Sequence, residues 1–230
     1  MTSCAARADC GSCWAHSTAS AISDRLSLAR AAAFPETVLA PQVLVDCVTE
    51  HSRGCNGGDP TAAYAYVMEQ GLTDETCAPY QALDGACTAS AVCSDCSPNP
   101  LTGCHAIAPA VRVRVSEHGQ AVGEHAIMAE IAARGPVTCG MCVTQAFEDY
   151  AGGVFRDDSG CRTEMHAISI AGYGTSEDGV KFWVGRNSWG SYWGEQGWFK
   201  LERGVDALGI ESIGCDWGVV DAGAPVAAPL

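Results

Sequence analysis

No stretch of the sequence approaches the roughly 20 consecutive apolar residues that a membrane-spanning helix needs, so no membrane insertion is expected. Positive charge is scarce as well: 13 Lys and Arg stand against 27 Asp and Glu, a formal net charge of −14. That balance excludes the basic surface of a nucleic-acid binder and disfavours anionic membranes. It suits a soluble protein working in acid, where carboxylates protonate and self-repulsion falls. There is no Asn-x-Ser/Thr acceptor, no internal repeat, and no low-complexity stretch except the Ala/Pro tail from Ala222. No secretory leader is expected in this stretch either, since Met1 stands only twelve residues before Cys13. Spaced Cys/His quartets are also wanting: the pairs Cys93/Cys96 and Cys139/Cys142 lack His partners, so neither metal nor cofactor is expected.

Cysteine, by contrast, is plentiful. Fourteen in 230 residues imply an oxidising compartment, because a reducing cytosol seldom leaves so many thiols without a metal. With Cys13 reserved as a free thiol, an odd number remains, and at least one more would lack a partner in this chain. A composition that is 47% hydrophobic at this length can bury a sizeable core, in one large domain or two small lobes.

The stretch CGSCW at 10–14 orders the rest. Ala15, Ala19, Ile22 and Leu26 recur at helical spacing over 14–28. Ser12 is the expected N-cap, which places Cys13 in the first turn. There the exposed N–H groups and the positive end of the helix dipole favour a thiolate, making Cys13 a candidate nucleophile. A redox dithiol, a zinc half-site and a pair of structural half-cystines compete. Thioredoxin-type motifs carry Trp before the first Cys, however, whereas Trp14 follows the second.

Further on, Pro41 opens a short helical turn, 51–59 is a Cys/Gly-rich loop, and Asp59-Pro60 caps a helix over 61–70 closed by Gly71. Residues 77–104 show no periodicity and read as a bridged loop. Val111, Val113 and Val115 alternate with polar residues as a strand does. A helix is expected over 123–134, and strands over 137–143, 166–173, 181–186 and 198–202.

A thiol nucleophile needs a base, and the base needs an orienter. His16 lies on the helical face of Cys13 but would leave no cleft between them. His51, His105, His118 and His125 fall in loops or an exposed helix. His166 opens an apolar strand in the other half, and the next strand ends in Asn187-Ser188-Trp189-Gly190. An Asn carbonyl can fix an imidazole tautomer without taking its charge, and Trp189 can screen that bond from water.

CGSCWAH at 10–16, GCNGGD at 54–59, DETC at 74–77, CHAI at 104–107, GPVTCG at 135–140 and RNSWG at 186–190 recur in order. With this set the chain resembles the papain-like cysteine proteases, most closely their cathepsin X (cathepsin Z) branch. The resemblance implies an α+β fold of two lobes with the active-site cleft between them. One is a helical, disulfide-rich lobe over 1–108, with 204–230 packing back on it. The other is an antiparallel, β-barrel-like lobe over 109–203. Cys13 would be the nucleophile, His166 the acid and base, and Asn187 the orienter, with Gly57, Gly58 and Trp189 lining the substrate site.

By the same analogy the bridges are Cys10–Cys55, Cys47–Cys87, Cys77–Cys93, Cys96–Cys104 and Cys139–Cys215. Cys4, Cys142 and Cys161 stay open, Cys142–Cys161 being one option. Implied too are a monomer acting on peptides or proteins, regulation by protein inhibitors, and a lysosome-like, vacuolar or extracellular setting. The favoured activity is a carboxypeptidase. The alternatives are an endopeptidase of the same fold or a catalytically impaired binding protein.

The sequence departs from that family at its start. No Gln precedes Cys13 to complete an oxyanion hole, and losing one such donor costs on the order of 10²–10³ in turnover. Ala5, Ala6 and Arg7 stand where the branch has a His-containing loop that grips the substrate carboxylate. The inhibitory propeptide that the resemblance implies is not expected within this stretch, and a truncated or misjoined reading frame is the expectation.

Overall fold

In the computed structural model, residues 10–99, 101, 103–221 and the backbone of 226–228 are described. The expectations placed on Cys4, Ala5, Ala6 and Arg7 fall outside those residues.

The apolar spacing around Trp14 produces helix α1, Cys13–Ala29, with Ala15, Ala19, Ile22 and Leu26 all buried on one face. Pro41 at the first position opens α2, Pro41–Cys47. Asp59 accepts from the Thr61 N–H and, with Pro60 next, starts α3, Pro60–Glu69. Gly71 follows with φ +76, the left-handed turn that ends the helix.

Residues 77–104 are less irregular than their composition suggests. They hold α4, Ala89–Val92, and a hairpin of β1, Ser94–Cys96, with β2, Cys104–Ala106. Strands of three residues are too short to show a period of two.

The valine alternation at 111–115 holds inward for Val115, which is buried, and for Val113, half-buried against the first core, but not for Val111. Strand β3, Ala110–Arg112, leaves Val111 55% exposed and buries Arg112 to 4%. Alternation fixes which residues share a side, and within β3 tertiary packing turns the Arg112 side inward. The chain then breaks before β4, Val115–Ala121.

Helix α5, Glu124–Arg134, runs between Gly123 and Gly135, which have φ +87 and +102. Strand β5, Val137–Met141, short helix α6, Gln145–Glu148, and β6, Val154–Phe155, follow. Next come β7, His166–Thr175, β8, Lys181–Arg186, β9, Trp198–Glu202, α7, Ile210–Ile213, β10, Cys215–Val220, and β11, Val226–Ala228. Seven strands form one sheet in the order β4-β10-β5-β7-β8-β9-β6. Only the β6–β9 pair is parallel. The edge strands β4 and β6 do not pair with each other, so the barrel-like sheet is not closed. The architecture is α+β.

Two cores lie on either side of β7. Ala167 packs with Cys13, Trp14 and Ile22 of α1, and with Leu44, Tyr64 and Leu72. Ile168 and Ile170 pack with Met141, Phe147, Trp183 and Phe199. Successive side chains of a strand point to opposite faces, so one apolar strand serves both cores. This places the start of β7, and His166 with it, at the seam.

Six disulfides join described residues. Five are the pairings implied by the resemblance, Cys10–Cys55, Cys47–Cys87, Cys77–Cys93, Cys96–Cys104 and Cys139–Cys215. The sixth, Cys142–Cys161, has no sequence signal beyond its parity.

Candidate active site

The thiol end of the site is built on α1. The Cys10–Cys55 bridge ties its start to the 51–59 loop, and the Gly11 N–H donates to the Cys55 carbonyl at 2.6 Å. Cys13 is 7% exposed in the first turn, and no acidic residue lies in that turn to oppose a thiolate. Ser12 occupies the N-cap position without capping. Its φ and ψ of −101 and 19 are not the extended values that aim a side chain at the helix N–H groups, and its hydroxyl meets the Tyr80 hydroxyl instead. In this structure Cys13 is disulfide-bonded, so nucleophilic chemistry belongs to the reduced chain. The expected odd thiol presupposed a free Cys13.

The two loop glycines differ in what they permit. A Cβ on Gly58 would stand 2.4 Å from the Trp14 ring and 2.8 Å from Ser52 Oγ, so the indole fills its open side. The Gly58 N–H and C=O enter no hydrogen bond among the described residues. Those are the groups an extended peptide could pair with. Gly57, at φ +98, faces open space, and its carbonyl already accepts from the Arg53 N–H at 2.8 Å.

The imidazole end is built on β7 and the turn after β8. His166, 3% exposed, has Nε2 at 2.9 Å from Asn187 Oδ1. A carbonyl oxygen only accepts, so Nε2 carries the proton and Nδ1 is the basic atom on the other side of the ring. The Ser188 N–H also donates to Asn187 Oδ1, at 2.8 Å, which holds the amide in place. Trp189 stacks on the imidazole with centroids 5.0 Å apart and is 8% exposed, covering the bond as the sequence suggested. Burial drives the His166 pKa down to about 4, partly opposed by the Asn187 bond.

Both ends are fastened to one helix. Arg186, the residue before Asn187, donates to Ser20 Oγ at 2.5 Å and pairs with Asp24 at 3.0 Å, both on α1. Its guanidinium also lies 4.6 Å over the Trp198 ring. Together with Ala167 in the core that also holds Cys13, this packs β7 and the Asn187 turn against α1. The sequence displayed Arg186 only as a letter of RNSWG. A basic residue before the orienting Asn was the available hint.

His16 turns towards Tyr80, its ring edge-on with centroids 4.4 Å apart. Its Nε2 is buried without a partner, and desolvation lowers its pKa to about 4. Of the other histidines, His51 lies in a loop and His125 on α5, as expected, while His105 and His118 lie on β2 and β4. An unfolded histidine takes its proton near pH 6.5, so between pH 6.5 and about 4 acid favours the unfolded chain. The stability these neutral rings contribute is complete above pH 6.5 and lost on acidification through that window. His16→Phe keeps the ring on Tyr80 and removes the titration. At pH 4.5 relative to pH 7 the variant should lose about 2–3 kcal/mol less than the parent, roughly 5–10 °C in Tm, by thermal denaturation across pH. Equal losses would assign the acid lability elsewhere.

A family model described as papain family cysteine protease matches residues 1–215. Cathepsin Z of Onchocerca volvulus is 42% identical over 193 residues, covering 84% of this chain and 61% of that protein. Vignain of Ricinus communis is 35% identical over 208 residues, covering 89% and 52% respectively. Among solved structures, bromelain from Ananas comosus in complex with the E64 inhibitor superposes with a TM-score of 0.76 at 25% identity, over 96% of this chain and 94% of that one. Digestive procathepsin L 3 of Tenebrio molitor larval midgut gives 0.76 at 27%, over 91% and 64%. The chain thus spans between half and two thirds of the length of these two curated relatives.

Proposed function

The chain belongs to the papain family of cysteine proteases, and from that membership we propose that its reduced form hydrolyses peptide bonds through Cys13, His166 and Asn187. The observation that carries the reading is the Nε2–Oδ1 bond between His166 and Asn187 under the Trp189 ring. It fixes the tautomer in which Nδ1 takes up the thiol proton. A thiolate beside the ring favours the imidazolium and offsets the desolvation that otherwise keeps His166 neutral.

Attack of the Cys13 sulfur on a carbonyl carbon forms the C–S bond. The imidazolium then gives its proton to the leaving amine as the C–N bond breaks, leaving a thioester. His166 next takes a proton from water as the oxygen attacks. Collapse frees the acid and regenerates the thiolate–imidazolium pair. The backbone N–H of Cys13, in the first turn of α1, is the donor assigned to the oxyanion.

Removal of single C-terminal residues is the finer proposal, supported by whole-chain likeness to the Onchocerca cathepsin Z. Gly58 would pair with the substrate backbone and Trp189 would flank the leaving side. The disulfides suit an oxidising, lysosome-like or secreted setting.

The test begins with mild reduction and an epoxide thiol inhibitor, which should modify Cys13. An unmodified Cys13 in a folded, reduced chain would instead leave a protease-like binding protein. Cleavage of one peptide as free acid and as C-terminal amide then separates the activities. The acid should be cleaved at least ten times faster, and equal rates would make the enzyme an endopeptidase.

A further inference from the structure

Between α3, the end of α2 and the chain around Thr88 lies a cavity of about 500 Å3, none of whose lining residues belongs to the site above. Val48, Ala65, Tyr66 and Val92 give it apolar walls, and Arg112 lines it as well. This arginine is the residue that β3 buries while exposing Val111. Pairing of β3 with β11, Val226 opposite Arg112, fixes that register.

The guanidinium is short of partners. Its Nη1 donates to the Gln70 carbonyl at 3.0 Å, at the C-terminal end of α3, whose dipole supplies only about half a negative charge. Its Nε is buried without any partner. Among the described residues Arg112 joins no ion pair. A buried cation that joins no ion pair is costly, and Nη2, the guanidinium nitrogen with neither a partner nor full burial, can donate to an oxygen of an oxyanion. Glu50 and Glu69 also line the cavity and oppose a second negative charge, which favours a monoanion. The volume falls within the ordinary range for small-molecule sites.

We propose that this cavity binds a small organic monoanion, its carboxylate paired with Arg112 and its apolar body against Tyr66 and Val92. The reading is independent of the peptidase chemistry, and its test reads no cleavage. Thermal melts of the intact chain at fixed ionic strength would compare phenylbutyrate, phenylbutyramide and sodium sulfate. At ten times its Kd the carboxylate should raise Tm by about 3–6 °C, with the amide and sulfate giving less than a third of that. Arg112→Met should abolish the shift. Should that variant fail to fold, Ala65→Trp, which fills the cavity and keeps Arg112, should abolish it instead. Equal shifts from acid and amide overturn the ion pair, and equal shifts from sulfate overturn the apolar contact. A carboxylate shift that survives in a folded variant overturns the site, as does no shift at all.

Discussion

If the reduced chain acts as proposed, His166→Ala should lower kcat for peptide hydrolysis by roughly 10⁴–10⁶-fold, the scale seen when the base of a nucleophile–histidine pair is removed. The variant loses both the acceptor that creates the thiolate and the acid that protonates the leaving amine. Folding should survive. Without the imidazole to take its proton, Cys13 stays a neutral thiol, so removal of the ring strands no charge. Asn187 Oδ1 keeps the Ser188 N–H as a donor. The remaining cost is the empty space beneath Trp189, on the order of 2–4 kcal/mol for a lost ring. Asn187→Ala should behave differently. It removes a neutral hydrogen bond worth about 0.5–1.5 kcal/mol, hence up to ~10-fold, plus whatever the ring loses by turning. Single-turnover kinetics with circular dichroism as folding control separates the cases. A His166→Ala enzyme within tenfold of the parent would remove histidine from the chemistry, whatever the fold.

The order of those two effects could be read from the string, but the fastening behind them could not. Cys13, His166 and Asn187 each stood in a local pattern whose chemistry is legible: a helix start, an apolar strand, a strand end. The strands at 181–186 and 198–202 were equally plain, because their alternation matches the sheet's period. Patterns failed where packing chose between equivalent sides. Arg112 and Val111 share one strand, and no local rule says that the charge goes inward. Ser12 has the right chemistry for a cap, but the Tyr80 hydroxyl competes for its oxygen from 68 residues away. Strand β10 was missed because Cys215, Asp216 and Gly218 dilute its valines, although Asp216 is buried and held by Thr61 and Gln120. Cys142–Cys161 follows from proximity alone. Long-range partners of polar residues are what a single sequence conceals, and in this chain they position the helix that carries the candidate nucleophile.

Glu130 shows how much rests on such a partner. Its carboxylate, 6% exposed, accepts from Arg25 Nη2 at 2.9 Å and from Arg134 Nε at 2.9 and 3.1 Å. Arg25, on α1, also donates to the carbonyls of Pro136, Gly218 and Gly135 at 2.6, 2.7 and 3.1 Å, linking α1 to the α5–β5 turn and to β10. Glu130→Ala removes the only counter-charge of a buried guanidinium among the described residues. Breaking a buried pair from one side costs about 3–5 kcal/mol, so Tm should fall by roughly 6–20 °C at pH 7. Glu130→Met with Arg25→Met should recover most of the loss, because no charge is then left in the interior. Burial alone would raise the Glu130 pKa, but the bonds from Arg134 and Arg25 outweigh it and hold it below the usual value. The stabilisation is therefore present above the ordinary glutamate pKa and is lost as pH falls through the lowered one. The gap between parent and Glu130→Ala should accordingly narrow in acid. Arg25 lies three turns along α1 from Cys13, while Arg186 clamps Ser20 and Asp24 nearer the thiol. Activity per folded molecule should consequently change less than tenfold. A variant that melts with the parent would show that the three carbonyls alone neutralise Arg25, and one that is folded but inactive would make this ion pair part of the site's positioning.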